Sequence, residues 1–392
     1  MVLPIKFIQA KRFRASVSFL ALTASLAACG GGTPTASTSP AAPGASPSAG
    51  ASPAASAAAP TASFSSNVAI TGAGASFPAP LYQRWFQDLS QKIPQLQVNY
   101  QSVGSGAGIE QFTKGTVDFG ASDTAMKDDA IAKVPAEKGV MMLPMTAGSI
   151  VFAYNVEGVD TGLKLTREVY TAIALGEITK WNDPKIVAAN PGVKLPDQAI
   201  TFVHRSDGSG TTGVFTKHLA AVSADWKSKI GEGNTVQWPT GSFVGAKGNE
   251  GVTAQIQQTP GSIGYIEYGY AKNNKLKFAQ LENKAKEFIT ASDESVSKTL
   301  AGVKLPENLR AFIEDPEGPG VYPIASYTWL LVPTKVADPV KAKALEVLIE
   351  YGLNEGQAVS SSLGYIPLPK SVKEKVVAAA DTLSADYKMK LK

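Results

Sequence analysis

Of the 392 residues, one is cysteine and two are histidine. A single thiol excludes an intramolecular disulfide and any cysteine-rich metal site, and two imidazoles leave little for a histidine-built zinc centre. The sequence also lacks G-x-x-x-x-G-K-[ST], the loop that cradles nucleotide phosphates. No serine stands in G-x-S-x-G, and only His204 and His218 are available to a serine triad. The apolar stretch Ala15–Ala28 would reach about 21 Å as a helix, short of a hydrocarbon core of about 30 Å. Acidic residues are missing from the first 66 positions, whereas Lys6, Lys11, Arg12 and Arg14 are all basic. That asymmetry accounts for the whole formal charge of +4, because the 33 other basic side chains are matched by 33 acidic ones. The pI near 8.8 is therefore no argument for nucleic acid.

The N-terminal segment reads as an address. Residues 1–28 carry a basic start, a short apolar run and small residues before Leu26-Ala27-Ala28-Cys29, the pattern of a signal peptide. The L-A-A-C ending resembles the bacterial lipobox, which makes Cys29 the expected lipidation site. Acyl chains at roughly 0.8 kcal/mol per buried methylene would hold the protein on a membrane. Gly30–Ser63 contains only Ala, Gly, Pro, Ser and Thr. Such composition cannot bury enough surface to offset its ordering entropy, so residues 29–66 read as a disordered tether.

From Asn67 the composition is that of a folded protein, with 44% hydrophobic residues over the whole chain. Strand-like runs at Val68–Thr71, Gln97–Gln101, Gly139–Leu143, Ser149–Tyr154 and Ala199–His204 alternate with helix-like stretches. The latter are Ala79–Gln91, Gly108–Lys114, Arg167–Ala174 and Thr212–Ala221, with a later strand at Thr328–Val332 and a helix at Pro339–Gly352. The alternation predicts an α/β fold with largely parallel sheets.

Four Gly/Ser-rich loops lie between strand and helix: Thr71–Pro78, Val103–Gly108, Gly120–Asp123 and His204–Thr212. Each presents backbone N–H groups at a helix start beside a small hydroxyl, the arrangement that binds anions. They hold one Arg and no Lys. Singly, each loop is an ordinary N-cap and turn; together they point to a shared oxyanion pocket. Gly208–Gly213 also matches G-x-G-x-x-G, which keeps a dinucleotide-binding enzyme as the alternative. Against it, Arg205, Ser206 and Asp207 separate the strand from the first Gly, where that turn should be tight.

At these loops the sequence resembles the phosphate-binding protein of the bacterial phosphate-specific ABC transporter. The blocks that carry the likeness are T-G-A-G-A-S-F-P-A-P-L-Y (Thr71–Tyr82), D-F-G-A-S-D (Asp118–Asp123) and R-S-D-G-S-G-T-T (Arg205–Thr212). G-E-I-T-K-W-N-D (Gly176–Asp183), K-G-N-E-G-V (Lys247–Val252) and G-S-I-G-Y-I-E-Y (Gly261–Tyr268) extend it over 67–392. The resemblance implies a type II periplasmic-binding-protein fold, two α/β lobes joined by a hinge. Residues 67–146 with 320–392 would form lobe I and 147–319 lobe II, with crossings near Pro144–Ala147 and Pro319–Tyr322.

It further implies that Ser76, Phe77, Ser105, Asp123, Arg205, Ser209, Gly210 and Thr211 bind inorganic phosphate, with Asp207 pairing Arg205. The implied protein is a monomer without metal, cofactor or catalytic residues, and with no nucleic-acid partner. It is exported and anchored by lipid on the outer face of the cell membrane or in the periplasm. It passes phosphate to the permease subunits and ATPase of an ABC transporter; a phosphate sensor or scaffold without a transport role is a second alternative. An ionised Asp123 accepts the hydrogen bond of the proton that phosphate retains and sulfate lacks. The bland alternatives are that Asp123 caps the following helix and that Arg205 and Asp207 form a surface ion pair. Trp181 reads as packing and Tyr265–Tyr270 as a core strand with its edge. Gly106 and Ala107 replace the family's more usual Ser and Gly, and His204 stands where the family is often basic.

Overall fold

The protein is described by a computed structural model covering residues 62–392; the leader, Cys29 and most of the tether lie outside the described residues. Among the described residues there are twelve strands: β1 (Val68–Gly74), β2 (Leu96–Ser102), β3 (Phe119–Ser122), β4 (Met141–Asn155), β5 (Lys164–Leu165), β6 (Thr201–Arg205), β7 (Phe243–Ala246), β8 (Ser262–Glu267), β9 (Lys277–Phe278), β10 (Gln280–Glu282), β11 (Phe288–Ile289) and β12 (Ala325–Val332). Nine form one sheet in the order β2-β1-β3-β12-β4-β8-β6-β7, with β9 also on β4, and β11-β10-β5 make a small second sheet.

The two flanks are parallel, with β1 beside β2 and β3 on one side and β6 beside β7 and β8 on the other. The centre is not: β12 runs antiparallel to both β3 and β4, and β4 runs antiparallel to β8. In the large sheet the expectation of largely parallel pairing is thus met at the flanks and not at the centre. Local alternation of strand and helix signals the parallel units, but not the return of β12 beside β4 from far along the chain.

β4 joins the two halves. Its first part, Met141–Ser149, pairs with β12, and its second, Ile150–Asn155, pairs with β8. The sequence predicts two strands there, broken at Pro144–Ala147. Instead, one strand of 15 residues runs through, and the register shifts where Thr328 faces Thr146 and Trp329 faces Pro144. Pro144 has no N–H for the ladder, so an irregularity there lets the strand continue.

Helices cover the sheet with their apolar faces. Ala79–Lys92 buries Leu81, Tyr82, Trp85, Phe86 and Leu89, spaced at helical intervals along one side, and Trp85 donates its indole N–H to the Gly356 carbonyl at 2.7 Å. The helix Ser105–Lys114 begins three residues before the predicted one. Gly104 precedes it at φ +91°, and a Cβ there would lie 2.2 Å from Asp207 Oδ2, so both conformation and space demand glycine. Arg167–Ala174 forms as predicted, with Thr166 as N-cap. In the block Tyr265–Tyr270 the strand ends at Glu267 and a helix, Tyr268–Asn273, begins, capped by the Glu267 side chain.

Candidate anion-binding site

The four Gly/Ser loops meet. The loop after β1 carries Ser76 and Phe77, and the helix after β2 opens with Ser105. Asp123 follows β3, and Arg205 ends β6 ahead of the helix Gly210–Val222. Ser76, Phe77, Ser105, Asp123, Arg205, Ser209 and Thr211 are each at most 4% exposed. Loops from the two sides touch directly: Gly106 N–H donates to the Gly208 carbonyl at 2.8 Å. A Cβ on Gly210 would stand 2.4 Å from Ser105 Oγ and 2.8 Å from Asp123 N.

The hydroxyls share one polarity. Ser105 Oγ accepts from Asp123 N–H at 3.3 Å and Ser209 Oγ accepts from Thr212 N–H at 3.0 Å. Ser76 Oγ and Thr211 Oγ1 likewise accept N–H bonds. A hydroxyl that accepts keeps its proton to give, so all four are set as donors. Backbone amides add to them. Among the described residues, the N–H groups of Ser76, Phe77, Ser105, Gly210 and Thr211 donate to no other group of the protein. The last three open helices, where unpaired amides and the helix dipole favour negative charge. The Ser209 amide is different, being bonded to the Asn234 carbonyl at 2.8 Å. The loop that bears Ser76 and Phe77 is pinned by Tyr270 and Tyr365, whose hydroxyls donate to their carbonyls at 2.7 Å each.

The charges are few and enclosed. Arg205 Nε and Nη2 donate to the two Asp207 oxygens at 2.7 and 2.6 Å, and Nη1 donates to Thr211 Oγ1 at 3.3 Å. The Arg205 side chain is 1% exposed, so this is no surface ion pair. Three of its five N–H donors are engaged and two remain for a ligand. Burial pushes the Asp207 carboxyl up, but Arg205 and the Gly248 amide outweigh it and hold it below the ordinary value. Asp123 accepts from Thr328 Oγ1 at 3.0 Å and Thr211 Oγ1 at 3.4 Å, and it caps no helix; the next one starts at Asp128. Burial raises Asp123 to about 7, against the opposing pull of Thr328, Arg205 and Thr211. The expectation of a fully ionised Asp123 is thereby modified: near neutral pH it is poised to accept a proton's hydrogen bond or to donate one.

Other singled-out residues stand apart. Trp181 is buried and donates to the Gly261 carbonyl at 2.8 Å, a packing role. His204 stacks on Trp238 with centroids 4.7 Å apart, and its burial lowers the imidazole below its usual value, so it brings no second cation. The sequence reading missed Asn249 and Thr328, which bond to the site hydroxyls and to Asp123. Asn249 lies in the block K-G-N-E-G-V, whose likeness to the family is the sequence signal for it. A dinucleotide at Gly208–Gly213 is disfavoured, because Gly208 and Gly210 are packed against Gly106 and Ser105 where a pyrophosphate would need to lie.

Comparison with known proteins identifies the family and the fold. Residues 38–355 match the family model described as a PBP superfamily domain. The phosphate-binding protein PstS of Pasteurella multocida (strain Pm70) is 41% identical, over 79% of this chain and 89% of its own length. That of Xylella fastidiosa (strain Temecula1) is 40% identical, over 79% and 84%. The crystal structure of the phosphate binding protein from Stenotrophomonas maltophilia shares the fold, with a TM-score of 0.66 at 20% identity, over 79% of this chain and 93% of that one. Buried neutral donors around one paired cation, the two-lobed fold and these relatives together mean that the chain belongs to the PBP superfamily, within its phosphate-binding protein PstS family.

Proposed function

We propose that this protein binds inorganic phosphate in the cleft between its two halves and delivers it to an ABC permease. The observation that carries this reading is the convergence of unpartnered amides and donor-poised hydroxyls around Arg205 and the titratable Asp123. Phosphate near neutral pH has oxygens for every donor and at least one proton for Asp123. Arg205 supplies a planar donor pair to two phosphate oxygens, and Asp207 fixes its plane and moderates its charge. Ser76, Phe77, Ser105, Ser209, Gly210 and Thr211 supply neutral hydrogen bonds in place of water. No bond is made or broken; the work is binding and release.

In this reading residues 67–146 with 320–392 form one lobe and 147–319 the other, flexing near Pro144–Ala147 and Pro319–Tyr322. Phosphate favours the closed arrangement through contacts that only the closed arrangement makes. The leader is removed on export, Cys29 is acylated, and the tether keeps a monomer near its permease. Replacing Cys29 by Ser moves the protein from the membrane fraction to the soluble one; unchanged fractionation would refute the anchor. For the site itself, equilibrium dialysis of the purified protein gives one phosphate per chain. Arg205→Ala weakens binding at least a hundredfold, in line with about 3 kcal/mol for a charge-assisted pair. Retained affinity would remove Arg205 from the site.

A further inference from the structure

Asn249 is the second residue of the helix Gly248–Gln258, fully buried, and it reaches across the cleft. Its side-chain oxygen accepts from Glu267 N–H at 2.9 Å, which fixes the direction of the amide. The two hydrogens of its Nδ2 then point to Ser76 Oγ at 2.9 Å, in the loop after β1, and to Thr211 Oγ1 at 3.2 Å, in the helix after β6. Its backbone N–H gives Ser76 Oγ a second bond at 3.0 Å.

A hydroxyl has two acceptor sites and one proton. Ser76 Oγ receives two N–H bonds, both from Asn249, so its remaining capacity is donation alone. Thr211 Oγ1 receives Asn249 Nδ2 and Arg205 Nη1, at 3.2 and 3.3 Å, and is limited in the same way. Its proton has Asp123 Oδ2 within 3.4 Å, a long bond that a nearer anion oxygen displaces. We infer that Asn249 is a positioning residue for the ligand. It fills both acceptor sites of Ser76 and, together with Arg205, those of Thr211, compels both hydroxyls to donate inward, and does so fully only when the two halves are together. Glu267 serves Asn249 through its backbone, while burial pushes its own carboxyl well above the usual range and keeps further negative charge out of the site.

This inference rests on the phosphate reading, and the test separates the two. Phosphate affinity is measured for wild type, Asn249→Ala, the Ser76→Ala/Thr211→Val pair and the triple variant, with far-ultraviolet circular dichroism to confirm folding. Asn249→Ala weakens phosphate binding at least tenfold in the wild-type background, and less than twofold once both hydroxyls are gone. The same factor in both backgrounds would mean that Asn249 only packs, and unchanged affinity in Asn249→Ala would overturn its role outright. Asn249→Asp serves as a second variant, since it keeps the shape and the bond from Glu267 but draws the hydroxyl protons toward itself. It weakens phosphate binding more than Asn249→Ala does; the reverse order contradicts positioning. A wild-type protein that fails to bind phosphate would refute the underlying reading and this one with it.

Discussion

At neutral pH the Asp123 carboxyl stands near its midpoint, because burial raises it to about 7 while Thr328, Arg205 and Thr211 pull it down. Its ordinary value is 3.8. Between those values the unfolded chain carries an ionised Asp123 and the folded chain a protonated one, so the folded state binds more protons. Stability of the unliganded protein therefore falls as pH rises through that window, by up to about 1.4 kcal/mol per unit from this group. Asp123→Asn removes the dependence. Thermal unfolding without phosphate shows the variant gaining on wild type from pH 5 to pH 8; a constant difference would mean that Asp123 is not buried and protonated as described. The residues that the sequence exposes are those with a local signal: Ser76, Ser105, Asp123, Arg205, Ser209 and Thr211 all sit in, or at the start of, short Gly/Ser-rich loops that follow a strand. Asn249, Thr328 and Tyr365 act on partners 173, 205 and 288 residues away. No local pattern distinguishes such an Asn, Thr or Tyr from one that merely packs.

Helices bring the donors to the ligand, and their starts must approach the opposite half closely. Gly210 opens the helix Gly210–Val222 against Ser105 and Asp123, where a methyl group would overlap the far wall. Gly210→Ala therefore holds the halves apart while, at the first helical position, changing the stability of the helix itself little. Phosphate affinity falls at least a hundredfold with the ligand-free melting temperature nearly unchanged. Preserved affinity would show that the two walls need not meet. A Cβ on Gly106 would stand 3.2 Å from Gly208 Cα, which makes it the milder site. Among the elements, Arg167–Ala174 and Pro339–Leu353 are legible from caps and periodicity. The continuous β4 is not, because Pro144 signals a break that pairing with β12 overrides.

Across the whole molecule, the part after residue 66 has equal numbers of acidic and basic side chains, so attraction of an anion is left to the site. The halves are joined through β4 and also by the segment near residues 310–315. There Arg310 donates to the Met126 carbonyl at 3.1 Å, Lys217 pairs with Glu314 at 2.8 Å, and Arg167 pairs with Asp315 at 2.6 Å. Among the described residues, the site holds Arg205, its counterion Asp207, neutral donors and the titratable Asp123. That composition favours a tetrahedral oxyanion that still carries a proton. Calorimetric titration of the purified protein with phosphate and with sulfate at about pH 8, where Asp123 is mostly ionised, tests this most directly. The account predicts one phosphate per chain and sulfate weaker by about 10⁴-fold, the scale set by a site whose buried hydrogen bond goes unmade. Sulfate binding as tight as phosphate, or no binding of phosphate, would contradict it.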